Sequence, residues 1–242
     1  MRDLGGFGGT CTLANDLNNE EQIVGSSNLT GDQSYAAFLW ESGSIHKLRG
    51  SLGGDSTNAY ALNGQGEAVG AGYLPGNSTF HATLWKNVES ITDLGVIGSD
   101  PCSYAAAINA GGQVVGSSIA NCGDEFRAFL WEDGSIFDLN SLIPPASALY
   151  LQNTYAINDS GEIAGTGVDA SGNEHAFLAI PCDKQHPGIE GCDYSMVDAA
   201  ATRESSAPVI HGPMTAPRKL RPFGRLGLTF RGQIGARNAA RR

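Results

Sequence analysis

A chain of 242 residues with 33 glycines and only 17% charged residues has the composition of short strands joined by tight turns, without the three-residue glycine period of collagen. No apolar run approaches the roughly 18 residues that span a bilayer, and no basic-then-apolar leader opens the sequence, so a removed leader or a longer parent chain is expected. The net charge of −10 divides: residues 1–183 carry 5 Lys+Arg against 21 Asp+Glu, and residues 184–242 carry 10 against 4, an acidic body followed by a basic tail.

In chain order, the first element is the short strand "RDLG" (2–5). A worn phrase "NDLNNEEQIVGSS" (15–27), the apolar block "AFLW" (37–40) and "HKLR" (46–49) follow. The same signposts return as "YALNGQGEAVGAG" (60–72), "ATLW" (82–85) and "TDLG" (92–95). They return again as "AAINAGGQVVGSS" (106–118), "AFLW" (128–131) and "FDLN" (137–140), then as "YAINDSGEIAGTG" (155–167) and "AFLA" (176–179). Asn18, Asn63, Asn109 and Asn158 stand 45, 46 and 49 residues apart, a period of propellers, solenoids or arrays.

Each unit reads as four strands, in the third copy 104–109, 113–118, 127–132 and 136–140. Asn-x-x-Gly joins the first two: Asn63 to Gly66, Asn109 to Gly112, Asn158 to Gly161. Asn favours the first position of a type I turn, and Gly accepts the left-handed position after it. The first copy has Glu21 at that glycine's place, so an altered turn is expected. Phe38 and Trp40 alternate with Leu39, so both faces of the third strand should be buried. The small residues of strand two, Gly70 to Gly72 and Gly116 to Ser118, suit crowding near the axis of a radial array. Four-stranded units buried on both faces describe propeller blades.

The last unit has no fourth strand, whereas "RDLGG" (2–6) precedes the first complete set. The expectation is an all-β propeller of about four four-stranded blades, closed where residues 2–6 pair with 174–180. Closure would remove an uncovered face and shorten exposed sheet edges. The domain boundary falls at 183, with residues 184–242 forming a Cys-linked segment and a basic, disordered tail.

The five cysteines form no CxxC pair, so zinc is disfavoured. Cys102 precedes strand one of the third unit and Cys122 follows strand two. Hairpin counting sets them opposite one another, predicting a disulfide. Cys182 and Cys192 should close a short second loop, leaving Cys11 as the odd thiol.

"HAFLA" (175–179), its copies "RAFLW", "HATLW" and "AAFLW", the "IN-x-x-G-x-VVG-x-S" phrase and the "DLG" ending resemble the bacterial extracellular HAF-repeat family. The resemblance covers residues 2–180, and "PCDKQHPGIEGCDYS" (181–195) looks like the segment that follows the last repeat. It implies a secreted, propeller-like protein and brings no set of catalytic residues.

The residues name no chemistry. Gly-x-Ser-x-Gly, Gly-x-Gly-x-x-Gly, phosphate-loop and His-Glu-x-x-His motifs are all missing. His81, Arg127 and His175 share one repeat position, with Ala36 in the first copy. They form either a ring of ligand-contacting groups or polar strand ends bonded to neighbours. "DASGNE" (169–174) offers Asp169, Ser171, Asn173 and Glu174 as oxygen ligands for calcium, although the same residues are ordinary turn chemistry. The tail's charge suits an anionic surface, but its aromatics are too sparse for base stacking. Asp93 and Asp138 recur at one position and read as structural, not as a glycosidase pair.

The leading expectation is a monomeric, non-enzymatic extracellular or periplasmic module binding a glycan, an envelope component or a protein. The alternatives are a polysaccharide-active enzyme on the same scaffold and a structural or adhesive part of a longer repeat protein.

Overall fold

The Asn-x-x-Gly phrase folds as its chemistry dictates. The N–H groups of Gly66, Gly112 and Gly161 donate to the carbonyls of Asn63, Asn109 and Asn158 at 3.2, 3.1 and 3.0 Å. These glycines have φ of 79, 77 and 76°, the region that a Cβ disfavours. Each asparagine side chain also braces the turn from within. In the third copy Oδ1 of Asn109 accepts from the Gln113 N–H at 3.0 Å, and its Nδ2 donates to Gln113 Oε1 at 2.7 Å. The first copy keeps the left-handed residue without the glycine, since Glu21 has φ 58°. The expected alteration is thus backbone strain, worth about 1–2 kcal/mol for a residue with a Cβ.

These turns build four antiparallel meanders in a computed structural model that describes residues 1–144 and 147–189. The first sheet holds β1 (Gly8–Leu17), β2 (Ile23–Leu29), β3 (Tyr35–Glu41) and β4 (Ser44–Lys47). The second holds β5 (Thr57–Leu62), β6 (Ala68–Tyr73), β7 (Phe80–Asn87) and β8 (Ser90–Gly95). The third holds β9 (Cys102–Ile108), β10 (Val114–Ile119), β11 (Phe126–Glu132) and β12 (Ser135–Asp138). The fourth has three strands, β13 (Tyr150–Ile157), β14 (Ile163–Val168) and β15 (Glu174–Ala179). A 3₁₀ turn at Leu139–Ser141 is the sole helical piece among the described residues, and no helix there is long and apolar enough to cross a membrane. Beyond residue 189 the predicted tail lies outside the described residues.

The small residues of strand two have a more specific cause than crowding at an axis. In all four sheets the first strand carries a bulge. Asn15, Tyr60, Ala106 and Tyr155 are each skipped between paired neighbours. Opposite each bulge stands a glycine: Gly25, Gly70, Gly116 or Gly165. A Cβ on any of them would overlap a backbone carbonyl oxygen of strand one, that of Leu13, Asn58, Tyr104 or Asn153. For this one glycine per sheet the crowding lies inside the sheet, where the bulge bends strand one toward strand two.

The sheets stack face to face in chain order. The front face of the first, with Val24, Ala37 and Leu39, packs on Ala59, Leu62 and Trp85 of the second. Val69, Ala82 and Leu84 of the second then pack on Ala105, Ile108 and Phe129 of the third. Val115, Ala128 and Leu130 of the third pack on Leu151, Ile163 and Phe177 of the fourth. The sheets converge at their first strands, β1 on β5, β5 on β9 and β9 on β13, and splay toward the fourth. Asparagines lace the joints: Nδ2 of Asn18, Asn63 and Asn109 donates to the carbonyl of Asn63, Asn109 and Asn158 at 3.0, 3.2 and 3.0 Å.

Closure within the chain is not made, and the sequence expectation is corrected here. Residues 2–6 lie against the first sheet: the Arg2 guanidinium sits 5.5 Å over the Trp40 ring and Phe7 bridges to Leu29. No fourth strand joins β15 among the described residues. Among the described residues the stack therefore has two open ends. Leu178 on the last front face is 37% exposed, against 1% for Leu84 and Leu130. Leu17 on the first back face is 70% exposed, against 7% for Leu62 and Ile108.

Cys102 and Cys122 are joined, with Cα atoms 5.2 Å apart. Their juxtaposition is not the direct cross-strand pair that counting suggests, because the bulge shifts the register and sets Ile119 opposite Cys102. Cys122 returns to it from the β10–β11 loop at φ 57°. Cys182 is also disulfide-bonded, while Cys192 lies outside the described residues. Cys11 is a free, exposed thiol.

Candidate functional site

The residues singled out by repeat position do not converge. His81, Arg127 and His175 stand on β7, β11 and β15, one to a sheet, and each is held by an aspartate. His81 Nδ1 lies 3.0 Å from Asp93 Oδ2. Burial pushes the Asp93 carboxyl up, but the His81 bond and the Gly95 N–H outweigh it and hold the acid below its ordinary value. Arg127 grips the buried Asp100 with two nitrogens, Nε at 3.1 Å from Oδ2 and Nη2 on Oδ1. Ser118 Oγ donates to the same Oδ2 at 2.7 Å. His175 Nε2 lies 3.2 Å from Asp169 Oδ2.

Asp169 is the hub of its loop. Its Oδ1 accepts the N–H groups of Ser171 and Asn173 at 2.8 and 2.9 Å, and its Oδ2 accepts Asn173 Nδ2 at 3.0 Å. The Asn173 side chain, then the Asn173 N–H, with help from His175 and Ser171, hold this carboxyl far below the usual range. Both carboxylate oxygens of Asp169, one of the proposed calcium ligands, are thus engaged by the loop's own donors and by His175. Among the described residues no cluster of three His, Cys, Asp or Glu side chains has the form of a metal site.

What the fold does bring together is a band along the first strands, where the sheets converge. Asn15 Nδ2 donates to Asn58 Oδ1 at 3.1 Å and to the Ala59 carbonyl at 2.7 Å, joining the first sheet to the second. The Tyr60 and Tyr104 rings meet edge to face at 6.3 Å, joining the second to the third. Tyr104 Oη donates to Asn153 Oδ1 at 3.2 Å, and Ser117 Oγ reaches the same oxygen at 3.2 Å, joining the third to the fourth. Tyr155 Oη stands 3.4 Å from Thr166 Oγ1. Three of these residues, Asn15, Tyr60 and Tyr155, are the extra residues of the bulges, which thrust them out of the ladder. Tyr60 and Tyr155 are exposed, and Tyr104 is half-buried.

Burial raises the Tyr60 phenol, with Tyr73 adding to it, and burial likewise raises Tyr104 against the opposing bond from Ser117. Tyr35 at the start of β3 is raised by burial and by Tyr73. All three are neutral hydroxyls at physiological pH, able both to donate and to accept. The band thus alternates ring surfaces with amides and hydroxyls, the chemistry of amphipathic recognition.

The tyrosines were visible in "YALN" and "YAIN", but only as strand formers. Their meaning as bulge residues required the register of strand two.

A cleft of about 640 Å³ opens between the second and third sheets, at the turn end, and is lined among others by Glu67, Lys86, Trp131, Glu132 and Asp133. Glu67 Oε2 accepts from Asn63 Nδ2 at 2.8 Å, and Glu132 Oε1 accepts from Gln113 Nε2 at 3.0 Å. Both carboxylates thus also brace the repeat turns.

No family model matches the sequence, and no curated protein matches it. The chain is similar to the β-propeller domain of the Trilobed protease from Pyrococcus furiosus, with TM-score 0.45 and 11% identity over 69% of this chain and 48% of that one. It is also similar to the Pyrococcus horikoshii acylaminoacyl peptidase, with TM-score 0.43 and 14% identity over 69% of this chain and 25% of that one. The chain spans less than half the length of either.

Proposed function

We propose that this is a non-enzymatic binding module whose four sheets act as propeller-type blades and whose tyrosine–asparagine band takes an extracellular carbohydrate. The observation that carries the reading is the band itself, an unbroken row from Asn15 to Tyr155 at the convergence of four sheets. A sugar offers apolar C–H faces and many hydroxyls. Tyrosine rings suit the first, and asparagine amides and phenol hydroxyls suit the second.

Export from the cytosol accompanies this reading and is supported by the Cys102–Cys122 disulfide. Membership of the HAF-repeat family is proposed on the repeat motifs.

The test is a glycan array, with a hydrolysis assay on the same panel. Binding that falls at least about tenfold in Tyr60→Ala or Tyr155→Ala, with no sugar released, supports the module. A glycan signal indifferent to both substitutions removes the band from the account. Sugar release abolished by Glu67→Gln or Glu132→Gln would put a hydrolase at the cleft instead, since glycoside hydrolysis needs two carboxylates across a cleft.

A further inference from the structure

The two open ends of the stack are the two halves of one joint. Within the chain, that joint is made three times. At each, the asparagine Nδ2 of one sheet donates to the equivalent asparagine carbonyl of the next. At the last sheet Asn158 Nδ2 donates to Glu162 Oε2 at 2.6 Å, and among the described residues no following sheet offers its second N–H a carbonyl. At the first sheet the Asn18 carbonyl receives no such bond among the described residues. Twice, the block alanine donates its N–H to a strand-one hydroxyl of the next sheet, Ala37 to Thr57 Oγ1 at 3.1 Å and Ala82 to Ser103 Oγ at 2.8 Å. The counterparts that make no such cross-sheet bond among the described residues are Ala176 at one end and, at the other, Thr12, whose hydroxyl meets Ser27 Oγ of its own sheet at 2.9 Å.

The N-terminal segment already sits as the missing strand of a neighbouring sheet. Gly5 N–H donates to Asp3 Oδ1 at 3.0 Å, as Gly95 N–H does to Asp93 Oδ1 at 2.8 Å, and both glycines have φ 79°. Phe7 N–H then donates to Ser27 Oγ at 3.0 Å. Ile97 N–H donates to Ser118 Oγ at 2.9 Å, where the second sheet hands over to the third. Residues 3–7 thus lie against the first sheet as the end of β8 lies against the third, but the sheet that this strand would finish is missing. Among the described residues the last sheet lacks that same strand.

We propose that the chain pairs head to tail with a second copy of itself, the N-terminal strand of one copy completing the last sheet of the other. Continuity with the internal joints selects a second copy as the occupant. The exposed face around Ala176 and Leu178 has the composition of the faces that pack on sheets of this chain, and the complementary face stands at the other end. The register follows from β3–β4, β7–β8 and β11–β12, where Phe38 faces Lys47, Thr83 faces Asp93 and Phe129 faces Asp138. Phe177 of one copy therefore faces Asp3 of the other, and Leu178 faces Arg2. Two such joints close two copies into a ring of eight sheets, the upper end of the usual propeller range. A monomer is the expectation from the sequence, and the oligomeric state in solution decides between the two.

The test uses the full 242-residue chain in a Cys11→Ser background. Arg2→Cys and Leu178→Cys variants are prepared separately, mixed and oxidised, and the unmodified chain is sedimented. A mixed covalent dimer, with a doubled mass for the unmodified chain, is expected. Leu178→Lys, at a position exposed in the single chain, should keep the circular dichroism spectrum and raise the dissociation constant by roughly 30-fold or more, as for loss of an interface anchor. A chain that stays monomeric at about 100 μM, where a dimer with a dissociation constant of about 1 μM would be nearly fully formed, overturns the proposal. A link formed within one chain carrying both cysteines would then show self-closure, and the absence of any link would show that another segment covers the face.

Discussion

Leu84 and Leu178 occupy the same register of the same repeat, one in the second sheet and one in the fourth. The first is sealed under the third sheet, and the second faces solvent. Asn109 and Asn158 differ in the same way: both brace their own turns, but Asn109 also ties its sheet to the next. The repeat unit is therefore only half of a stabilising element. Its front face gains from burial only when a following sheet supplies the back face, which is the nearest-neighbour energetics of repeat architectures.

The largest effect should come from the sealed leucines. Leu130→Ala should cost about 2–5 kcal/mol in denaturant unfolding, because the neighbours cannot collapse into the cavity. Leu178→Ala, in dilute solution where each chain stands alone, should stay within about 1 kcal/mol. Equal losses at the two sites would mean that the last front face is covered in the single chain.

The ion pairs sharpen the contrast. Asp100 is nearly sealed while Arg127 is partly exposed, so Arg127→Ala strands a buried carboxylate and should cost about 2–4 kcal/mol. His175→Ala beside the more exposed Asp169 should cost less than about 1 kcal/mol. A comparable Tm drop in both variants would erase this distinction between the third and the last sheet.

Acid should not discriminate between the inner and the end sheets. Asp93 and Asp169 are both held below the ordinary carboxylate value of 3.8. Their contribution is full above that unfolded-state value and is lost as pH falls through the lower folded values. Melting temperature should therefore hold above about pH 5 and decline below about pH 4, with Asp93→Asn and Asp169→Asn each flattening the decline. An acid limb unchanged in both variants would place the pH sensitivity elsewhere.

The smallest effect concerns the turn at the first end. Glu21→Gly should raise stability by about 1 kcal/mol, the cost of a left-handed residue with a Cβ offset by the glycine's greater freedom when unfolded. A loss on substitution would show that Glu21 contributes more through its side chain than its backbone costs.

Much of the fold was legible in the sequence because its determinants are local. The Asn-x-x-Gly turns, the strand order within each unit and the double burial of "AFLW" follow from spacing and turn chemistry over a few residues. Cys102 and Cys122 could be paired from hairpin counting, though the bulge made the route to that pairing different. The candidate site was poorly legible. His81, Arg127 and His175 share a repeat position, yet their aspartate partners come from loops and strands that no local pattern joins to them. Tyr60 and Tyr155 read as ordinary strand residues until the register set them at bulges, and Tyr104 until its ring met Tyr60 and its hydroxyl met Asn153.

The sequence by itself determined a β-rich chain of four like units, because turn geometry and side-chain alternation are set by near neighbours. Only the tertiary structure decided that strand one bulges against a glycine, that the N-terminal segment lies on the first sheet and not the last, and that among the described residues both ends stay open. Those outcomes depend on which surfaces meet across tens of residues, and burial acts on surfaces irrespective of where they stand in the chain.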